Sequence, residues 1–505
     1  MSEYPDFKHG TRGEIDTDGL GLSNRGRTRQ AIVYIGTAPV HLVEGGASNV
    51  NKPILVKNMV EARKAFGYSD DWASYTLCEA MHVHFELNGV GPLVLINVFD
   101  PATHRKQTGG TASLTPSNGQ VTIVNAEDVI LDSLVVKKGT GESQTTLTKD
   151  TDYTARYDFM RKNLVITEKT GGALGTDALA ITWAKADPSA VTAANVVGST
   201  DGQGLNTGTY AVKNVYTLTG YIPAFLLAPG FSSVPSVHAA LWENSQQIGK
   251  HWNAWMFVDM PIMNGETPIT MQSAASWKTS NGYDKDNENV FFPLAKGTDG
   301  KIYHLSVLNA ANFQALLIQN NGVPYMSGSN TACSIIEDLY FSETIVGRVY
   351  DDDTINRWLN ANGINSAAYV GGRWAIWGMF AGSYNQENAT NVNAFDTCLM
   401  MLYYLTNDFQ HRRNVDIDKP MPINTLKSIA AEEQTRVDAL LGIGALTYGK
   451  VLLDASKEAR SDVYQGDFRI MFNVTNTPLA KSLTAIANWT DEGFTVYFAA
   501  MDNAA

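Results

Sequence analysis

The stretches FLLAPG (Phe225–Gly230) and AWMFVD (Ala254–Asp259) decide the fold class. Such short, continuous apolar runs are typical of strands that are buried on both faces of a sheet. The chain between them carries Val237 and Leu241 at helical spacing, which predicts a helix over residues 235–249. A strand, a helix and a strand in this order form a βαβ unit. The pattern therefore predicts a parallel strand pair with a right-handed crossover.

A similar pattern lies nearer the N-terminus. AIVYIG (Ala31–Gly36) and LVLINV (Leu93–Val98) predict two more buried strands. Between them, Asn58 is the predicted N-cap and Gly67 the predicted C-cap of one helix. A second helix is predicted to end at Asn88, which is followed by glycine.

The C-terminal part returns from helices to strands. We predict one helix over Val392–Phe409 and another that begins at Asn424 or Thr425. The stretch GDFRIMFNV (466–474) alternates apolar and polar residues, which predicts a strand. A last strand is predicted at FTVYFA (Phe494–Ala499), where it either closes the protein's own sheet or joins another subunit's sheet.

The region between the Asp-Pro pairs at 100–101 and 187–188 has a different texture. Short Val- and Thr-rich runs such as QVTIV (120–124) and NLVIT (163–167) alternate with turn residues, and no helical period is present. This predicts a separate all-β sandwich or barrel. Because insertions are tolerated in exposed loops, we expect it to lie on the surface.

The predicted fold class is therefore multidomain α/β: a mixed-sheet α/β core with an inserted all-β domain, barrel or sandwich, and extended N- and C-terminal arms. The predicted segments are an N-terminal arm (1–30), the N-terminal part of the core (31–100), the inserted, surface-facing β domain (101–187), a central α/β domain (188–365), a C-terminal α/β domain (366–489) and a C-terminal arm strand (490–505).

Charge and apolar patterning exclude several classes of partner. The chain has 38 Lys and Arg against 51 Asp and Glu, a net charge of -13, so we expect no direct nucleic-acid binding. The longest apolar run found, Cys398–Leu405, is far shorter than the ~20 residues of a membrane span, so no membrane insertion is expected. The first residues lack the pattern of a secretory signal, which favours a cytoplasmic site of synthesis.

We identify no catalytic, cofactor or metal motif in the sequence. The acids Asp351, Asp352 and Asp353 precede a helical pattern, where they favour the start of the helix more than they favour a divalent cation. His82 and His84 are two apart on a predicted helix, so they cannot both reach one metal ion. The sequence therefore predicts a protein that is not an enzyme, with no cofactor and no metal.

An ordered set of motifs resembles one family, the contractile tail sheath proteins of bacteriophages and of related phage-tail-like injection machines. The motifs are AIVYIGTAPV (31–40), NKPILVKNMVEARKAFG (51–67), YTLCEAMHVHFELNGVGPLVLINVFD (75–100), LLAPGFSS (226–233) and FVDMP (257–261). The resemblance covers about residues 30–100 and 188–500. The first 30 residues and the β insertion do not match the family pattern.

The resemblance implies a structural role. Subunits of this family form a homo-oligomer of stacked hexameric rings around a tail tube protein, together with baseplate and tail terminator proteins. Their arms add strands to neighbouring subunits, and the metastable lattice contracts to drive the tube through a bacterial envelope. The implied location is the virion tail, assembled in the host cytoplasm.

Two other classes stay open at this stage. One is a different self-assembling viral structural protein, such as a capsid or baseplate component. The other is a cytosolic α/β enzyme with a β accessory domain, whose ligand would lie near Gly230 and Asp259 at the carboxyl ends of strands.

Two sets of residues are the candidate assembly sites. We expect the arm strand to pair with a neighbouring subunit through Phe494, Thr495, Val496, Tyr497 and Phe498. The densest basic stretch of the acidic chain predicts a tube-facing surface with Arg412, Arg413, Lys419 and Lys427. The alternative is that Arg412 and Arg413 only favour the negative end of the preceding helix.

Overall fold

The computed structural model describes residues 29–139, 144–342, 350–387, 389–390, 392–453 and 460–502. Most of the predicted N-terminal arm, residues 1–28, and the last residues, 503–505, lie outside the described residues.

Strands and short helices alternate through most of the chain. The strands are β1 (Gln30–Gly36), β2 (Ile54–Val56), β3 (Leu93–Asn97), β4 (Gly110–Leu114), β5 (Gln120–Ile123), β6 (Val135–Lys138), β7 (Thr145–Leu147), β8 (Tyr153–Asp158), β9 (Asn163–Glu168), β10 (Leu179–Trp183), β11 (Ile222–Leu227), β12 (Trp255–Asp259), β13 (Met263–Asn264), β14 (Thr267–Pro268), β15 (Glu288–Phe291), β16 (Leu294–Gly297), β17 (Ile302–Tyr303), β18 (Ile336–Tyr340), β19 (Ile364–Val370), β20 (Arg373–Trp377), β21 (Leu446–Leu452) and β22 (Met471–Asn476).

The α-helices are α1 (Met59–Phe66), α2 (Thr76–Met81), α3 (Ala193–Val197), α4 (Val215–Thr219), α5 (Pro235–Glu243), α6 (Met271–Ser280), α7 (Leu305–Gln319), α8 (Asp352–Trp358), α9 (Asp396–Arg413), α10 (Ile423–Gly442), α11 (Arg460–Gln465) and α12 (Glu492–Asp502). One turn of π-helix, His82–Leu87, extends α2.

An eight-stranded sheet organises the core, with the order β2-β3-β1-β11-β12-β15-β19-β20. All neighbours from β3 to β19 are parallel, and the two edge strands β2 and β20 are antiparallel. The central strands are buried on both faces, as their uninterrupted apolar sequences predict. The prediction of a mixed α/β core with parallel βαβ units is confirmed.

Two predicted helix starts are confirmed and one is wrong. The side chain of Asn58 accepts a hydrogen bond from the backbone of Glu61 at α1, and that of Asp351 accepts one from Thr354 at α8. The acids before α8 therefore cap a helix. The predicted cap at Asn424 or Thr425 is wrong, because α10 already begins at Ile423, directly after Pro422. The fixed φ of proline suits the position before a helix.

Residues 110–183 form two antiparallel sheets, β4-β10-β6-β7 and β5-β9-β8, which enclose their own apolar core. Such a pair of sheets around one core is a small sandwich. The chain enters and leaves this insertion side by side: the backbone of Lys106 donates to Lys185 at 2.8 Å and that of Asp187 donates to His104 at 3.0 Å.

The C-terminal elements only partly follow the predicted segments. The predicted boundary at 365/366 falls inside β19, so the large sheet continues across it. A smaller core lies between α9, α10 and the two-stranded sheet β21-β22, with Met401, Val437 and Leu446 among its members. The chain after β22 runs without regular structure to α12.

Candidate assembly surfaces

The segment after β22 exposes apolar side chains to solvent. Trp489 is 82% exposed, Val496 73%, Tyr497 67% and Phe498 64%. Contiguous apolar side chains that stay exposed on a folded chain mark surfaces that bind another protein. We call residues 477–502 the C-terminal arm.

The root of the C-terminal arm contacts the body of the protein. Leu479–Ser482 line one wall of a cavity of about 600 Å³, beside Trp377 and Tyr384. The ammonium group of Lys481 lies 3.4 Å from the hydroxyl oxygen of Tyr384. Beyond this root, the arm leaves the body with its apolar side chains uncovered.

The prediction that Phe494–Ala499 forms a strand is wrong for the single chain. These residues, with Thr495 among them, belong to α12. A strand without a neighbour leaves its backbone groups unpaired, whereas a helix pairs them within the segment. The apolar side chains fit either pattern: Phe494, Val496 and Phe498 share a strand face, and Phe494, Tyr497 and Phe498 share a helix face.

The second candidate set contains two buried residues. Arg412 and Arg413 are each only 4% exposed. Their guanidinium groups bind the Glu433 carboxylate of α10, at 3.3 Å for Arg412 and at 2.7 Å for Nε of Arg413. Arg412 also binds Asp408 at 3.0 Å within α9. The prediction that these two arginines face outward is wrong, because each is enclosed by acids.

A pattern in the sequence could have revealed this. Ile429, Val437 and Leu440 form the buried face of α10, and Glu433 lies on that same face. A carboxylate on an apolar helix face needs a cationic partner, since an unpaired buried charge is strongly destabilising. Lys419 and Lys427, in contrast, are exposed.

At the carboxyl end of β12, where an α/β enzyme would hold a ligand, two acids bind the start of α7. The Asp259 carboxylate accepts from the backbone nitrogen of Ser306 at 3.0 Å and from its hydroxyl at 2.5 Å. The Glu79 carboxylate accepts from the backbone nitrogen of His304 at 2.7 Å and lies 2.7 Å from its Nδ1. Both acids are buried and neutralise the start of α7.

The pKa shifts of Asp259 and His304 at the start of α7 agree with a structural role for these residues. Burial raises the pKa of Asp259. Burial alone would lower the pKa of His304, but the neighbouring Glu79 carboxylate outweighs it and raises that pKa to about 9. His304 is therefore a cation paired with Glu79 at neutral pH, and the pair fixes α7 against the sheet.

Within the described ranges, no group of three or more His, Cys, Asp or Glu side chains is placed to hold a metal ion. Among the helices of those same residues, none has the length and apolarity needed to cross a membrane.

The chain thus combines an α/β body, a β insertion and an exposed apolar arm. No protein-family model matches the chain. The chain is 24% identical over 476 residues to the tail sheath protein of Burkholderia phage BcepMu, and the match covers 91% of this chain and 92% of that protein.

Two solved structures share the fold. A sheath complex of the extracellular contractile injection system PVC, in the contracted state, matches 98% of this chain and 99% of its own with a TM-score of 0.52 and 10% identity. A chain of the anti-feeding prophage baseplate in the contracted state matches 97% of this chain and 100% of its own, with a TM-score of 0.53 and 11% identity.

These matches confirm that the chain resembles contractile tail sheath proteins. They also confirm the predicted fold class, a mixed α/β body with additional antiparallel sheets. The matching proteins are structural sheath and tail proteins, in agreement with the prediction that this chain is not an enzyme.

Proposed function

We propose that this chain is the sheath subunit of a contractile tail. It polymerises as stacked hexameric rings around a tail tube, and the lattice contracts to drive the tube through a bacterial envelope. The sequence match along nearly the whole length of a phage tail sheath protein supports this role. The observation in the structure that carries the proposal is the C-terminal arm, whose apolar side chains have no cover in a single chain.

The arm joins one subunit to the next. Residues Phe494–Ala499 leave the helical form and pair as a strand with a neighbouring subunit's sheet. The backbone makes the hydrogen bonds, and the side chains of Phe494, Thr495, Val496, Tyr497 and Phe498 contact the neighbour. Five or six ladder hydrogen bonds at about 0.5–1.5 kcal/mol each, plus one buried aromatic face, give several kcal/mol per joint. Repetition along a helical lattice makes such joints collectively strong.

The tube contact involves the exposed lysines Lys419 and Lys427, which follow the buried arginines in the chain. Exposed ion pairs contribute only about 0.2–1 kcal/mol each, and salt screens them. Weak, repeated and screenable contacts suit a sheath that must hold its tube and still slide along it.

The remaining partners follow from this role. A finite sheath needs a baseplate at one end and a tail terminator at the other, and its finished location is the virion tail after assembly in the host cytoplasm. Heterologous contacts that do not close into a ring produce open helical filaments, which is the geometry a sheath requires.

Negative-stain electron microscopy of the purified chain tests the function. We expect tubes of fixed diameter, alone or with added tube protein. Closed shells would favour a capsid protein. Single particles at every concentration, with the arms intact, would favour a protein that does not polymerise, such as an enzyme.

A further inference from the structure

Two buried histidines lie where the β insertion joins the body, a contact that we call the junction. His41 belongs to the body, in the short 3-10 helix Val40–Leu42, and is 3% exposed. His104 belongs to the segment that enters the insertion and is 7% exposed. Both rings contact Phe99, with ring centroids 5.5 Å away for His41 and 5.8 Å for His104. The junction is therefore an aromatic cluster that contains two titratable rings.

His41 connects the body to the insertion by a hydrogen bond. Its Nε2 lies 2.9 Å from the backbone oxygen of Glu127 in the insertion. Since a carbonyl oxygen only accepts, Nε2 carries the ring proton. The other ring nitrogen, Nδ1, is buried and has no hydrogen-bond partner among the described residues. A second proton, on Nδ1, would therefore create a buried cation with an unpaired N–H group, which is strongly unfavourable.

His104 accepts a hydrogen bond that only its neutral ring can accept. The backbone nitrogen of Asp100 donates to Nδ1 of His104 at 2.9 Å. The backbone oxygen of His104 accepts from Asp187 in the exit segment at 3.0 Å, so this residue lies at the paired entry and exit of the insertion. A proton on Nδ1 would place two donors against each other and break the bond to Asp100.

Burial keeps both rings neutral, although acidic groups face them. The groups that face the rings are Tyr75, Glu127 and Asp128 at His41, and Asp100, Asp187 and Asn195 at His104. Burial outweighs the neighbouring carboxylates, and it lowers the pKa of His41 from its ordinary 6.5 to about 4. Burial also lowers the pKa of His104. Each ring therefore binds a proton more readily when the junction is open.

The remaining contacts allow the insertion to move as a unit. The insertion encloses its own apolar core, and Ile130, beside the junction, reaches the core of the body. The partly exposed ion pair of Lys149 with Glu44, at 2.9 Å, also connects the two parts, and such pairs contribute little. A cavity of about 290 Å³ lies between the β8–β9 hairpin and residues 68–71 of the body. The paired entry and exit segments can then act as a pivot.

We propose that acid releases the β insertion from the body: protonation of His41 and His104 opens the junction, and the insertion turns about its paired connecting segments while both cores stay folded. The docked form binds fewer protons than the released form, so docking loses stability as the pH falls. His41 by itself raises the ratio of released to docked chains about 300-fold over its full titration, from its pKa values of 6.5 and about 4. The device goes beyond the proposed function, since it needs neither polymerisation nor the C-terminal arm.

Two spin labels on opposite sides of the junction measure the release in the full chain. Met160, at the turn between β8 and β9, is 95% exposed, and Val60 on α1 is 77% exposed, so Met160→Cys and Val60→Cys carry nitroxides outside any core. Cys398→Ser removes the one native cysteine that is not fully buried among the described residues. Pulsed electron double resonance then measures the distance between the labels. We expect a narrow distribution at pH 7.5, and a released fraction about 10-fold or more higher at pH 4.5, reversibly.

Two substitutions of similar shape isolate the effect of the histidines. His41→Gln places an amide N–H near the position of Nε2, and His104→Asn places an amide oxygen near that of Nδ1, so both keep the native hydrogen bonds and neither titrates. We expect the doubly substituted chain to keep its narrow distribution at pH 4.5. His251→Gln, at a histidine that packs against Trp252, is the matched control and should release the insertion as the unmodified chain does.

The outcomes decide the proposal whether or not the variants fold. An unmodified chain whose distribution stays narrow from pH 7.5 to 4.5 would overturn it. Release by the folded double variant at pH 4.5, to the same extent as by the unmodified chain, would also overturn it, since other groups would then be responsible. Hydrogen exchange at pH 4.5 must show both apolar cores still protected, and a loss of protection in either core would mean unfolding and not release.

Discussion

Replacement of Glu433 by glutamine should weaken the attachment of α10 to α9. Its carboxylate is buried, and both Arg412 and Arg413 bind it. Glu433→Gln keeps the shape and removes the charge, so the two guanidinium groups lose the acid that they share. Breaking a buried ion pair by neutralising one partner costs about 3–5 kcal/mol. The neighbouring Glu432, which is 40% exposed at its side chain and 2.9 Å from Arg413, provides a matched control.

Hydrogen exchange of the α10 amides, followed by mass spectrometry, measures this effect locally. Protection against exchange reports the free energy of local opening, and about 1.4 kcal/mol corresponds to a factor of ten. We expect Glu433→Gln to lower protection over residues 423–442 by about two to three and a half powers of ten. Glu432→Gln should lower it by less than one, as an exposed pair contributes about 1 kcal/mol at most. Equal effects of the two substitutions would refute the argument.

Four further results are expected. Deletion of residues 490–505 should leave a folded monomer that does not form polymers in sedimentation. If the truncated chain unfolds, the arm is instead part of the fold of its own subunit. Replacement of residues 103–185 by a short Gly-Ser bridge should still give contractile tubes, of smaller diameter by electron microscopy, and loss of assembly would contradict a surface position. Lys419→Glu with Lys427→Glu should abolish co-assembly with an acidic tube in low salt but preserve self-assembly, whereas the exposed Lys450→Glu should coat tubes normally. Burial raises the pKa of Asp396 to about 7 from its ordinary 3.8, so between about pH 4 and 7 the carboxyl ionises in the unfolded chain but not in the folded one, and stability falls across that range; Asp396→Asn should therefore raise the melting temperature at pH 8 and change it little at pH 4.

The core strands could be predicted because their signal is local. AIVYIG (Ala31–Gly36) contains no polar residue that would suit an exposed face, and the cap at Asn58 depends on a contact only three residues away. A resemblance over ordered motifs indicated similarity to contractile tail sheath proteins, which the match to a phage tail sheath protein confirms. The strand order of the large sheet could not be read in the same way, since β1 pairs with β11, about 190 residues later in the chain.

The surface residues were harder to predict because their surroundings come from distant parts of the chain. Arg412 and Arg413 form a basic stretch in the sequence, but the buried acid that both bind, Glu433, lies about 20 residues away on another helix. Residues 492–502 are helical in the single chain, where they have no strand to pair with. Whether such a partner strand is present cannot be read from the local sequence pattern.

The paired entry and exit of the β insertion has a mechanical consequence. Lys106 and Lys185 are hydrogen-bonded neighbours, so both ends of the insertion are fixed to a single point of the body. In the proposed lattice, a pulling force that travels through the large sheet and the C-terminal arm passes from subunit to subunit without crossing the insertion. If the chain acts as the proposed sheath subunit, the insertion bears none of this force during contraction, and a label fused to it should not weaken the lattice.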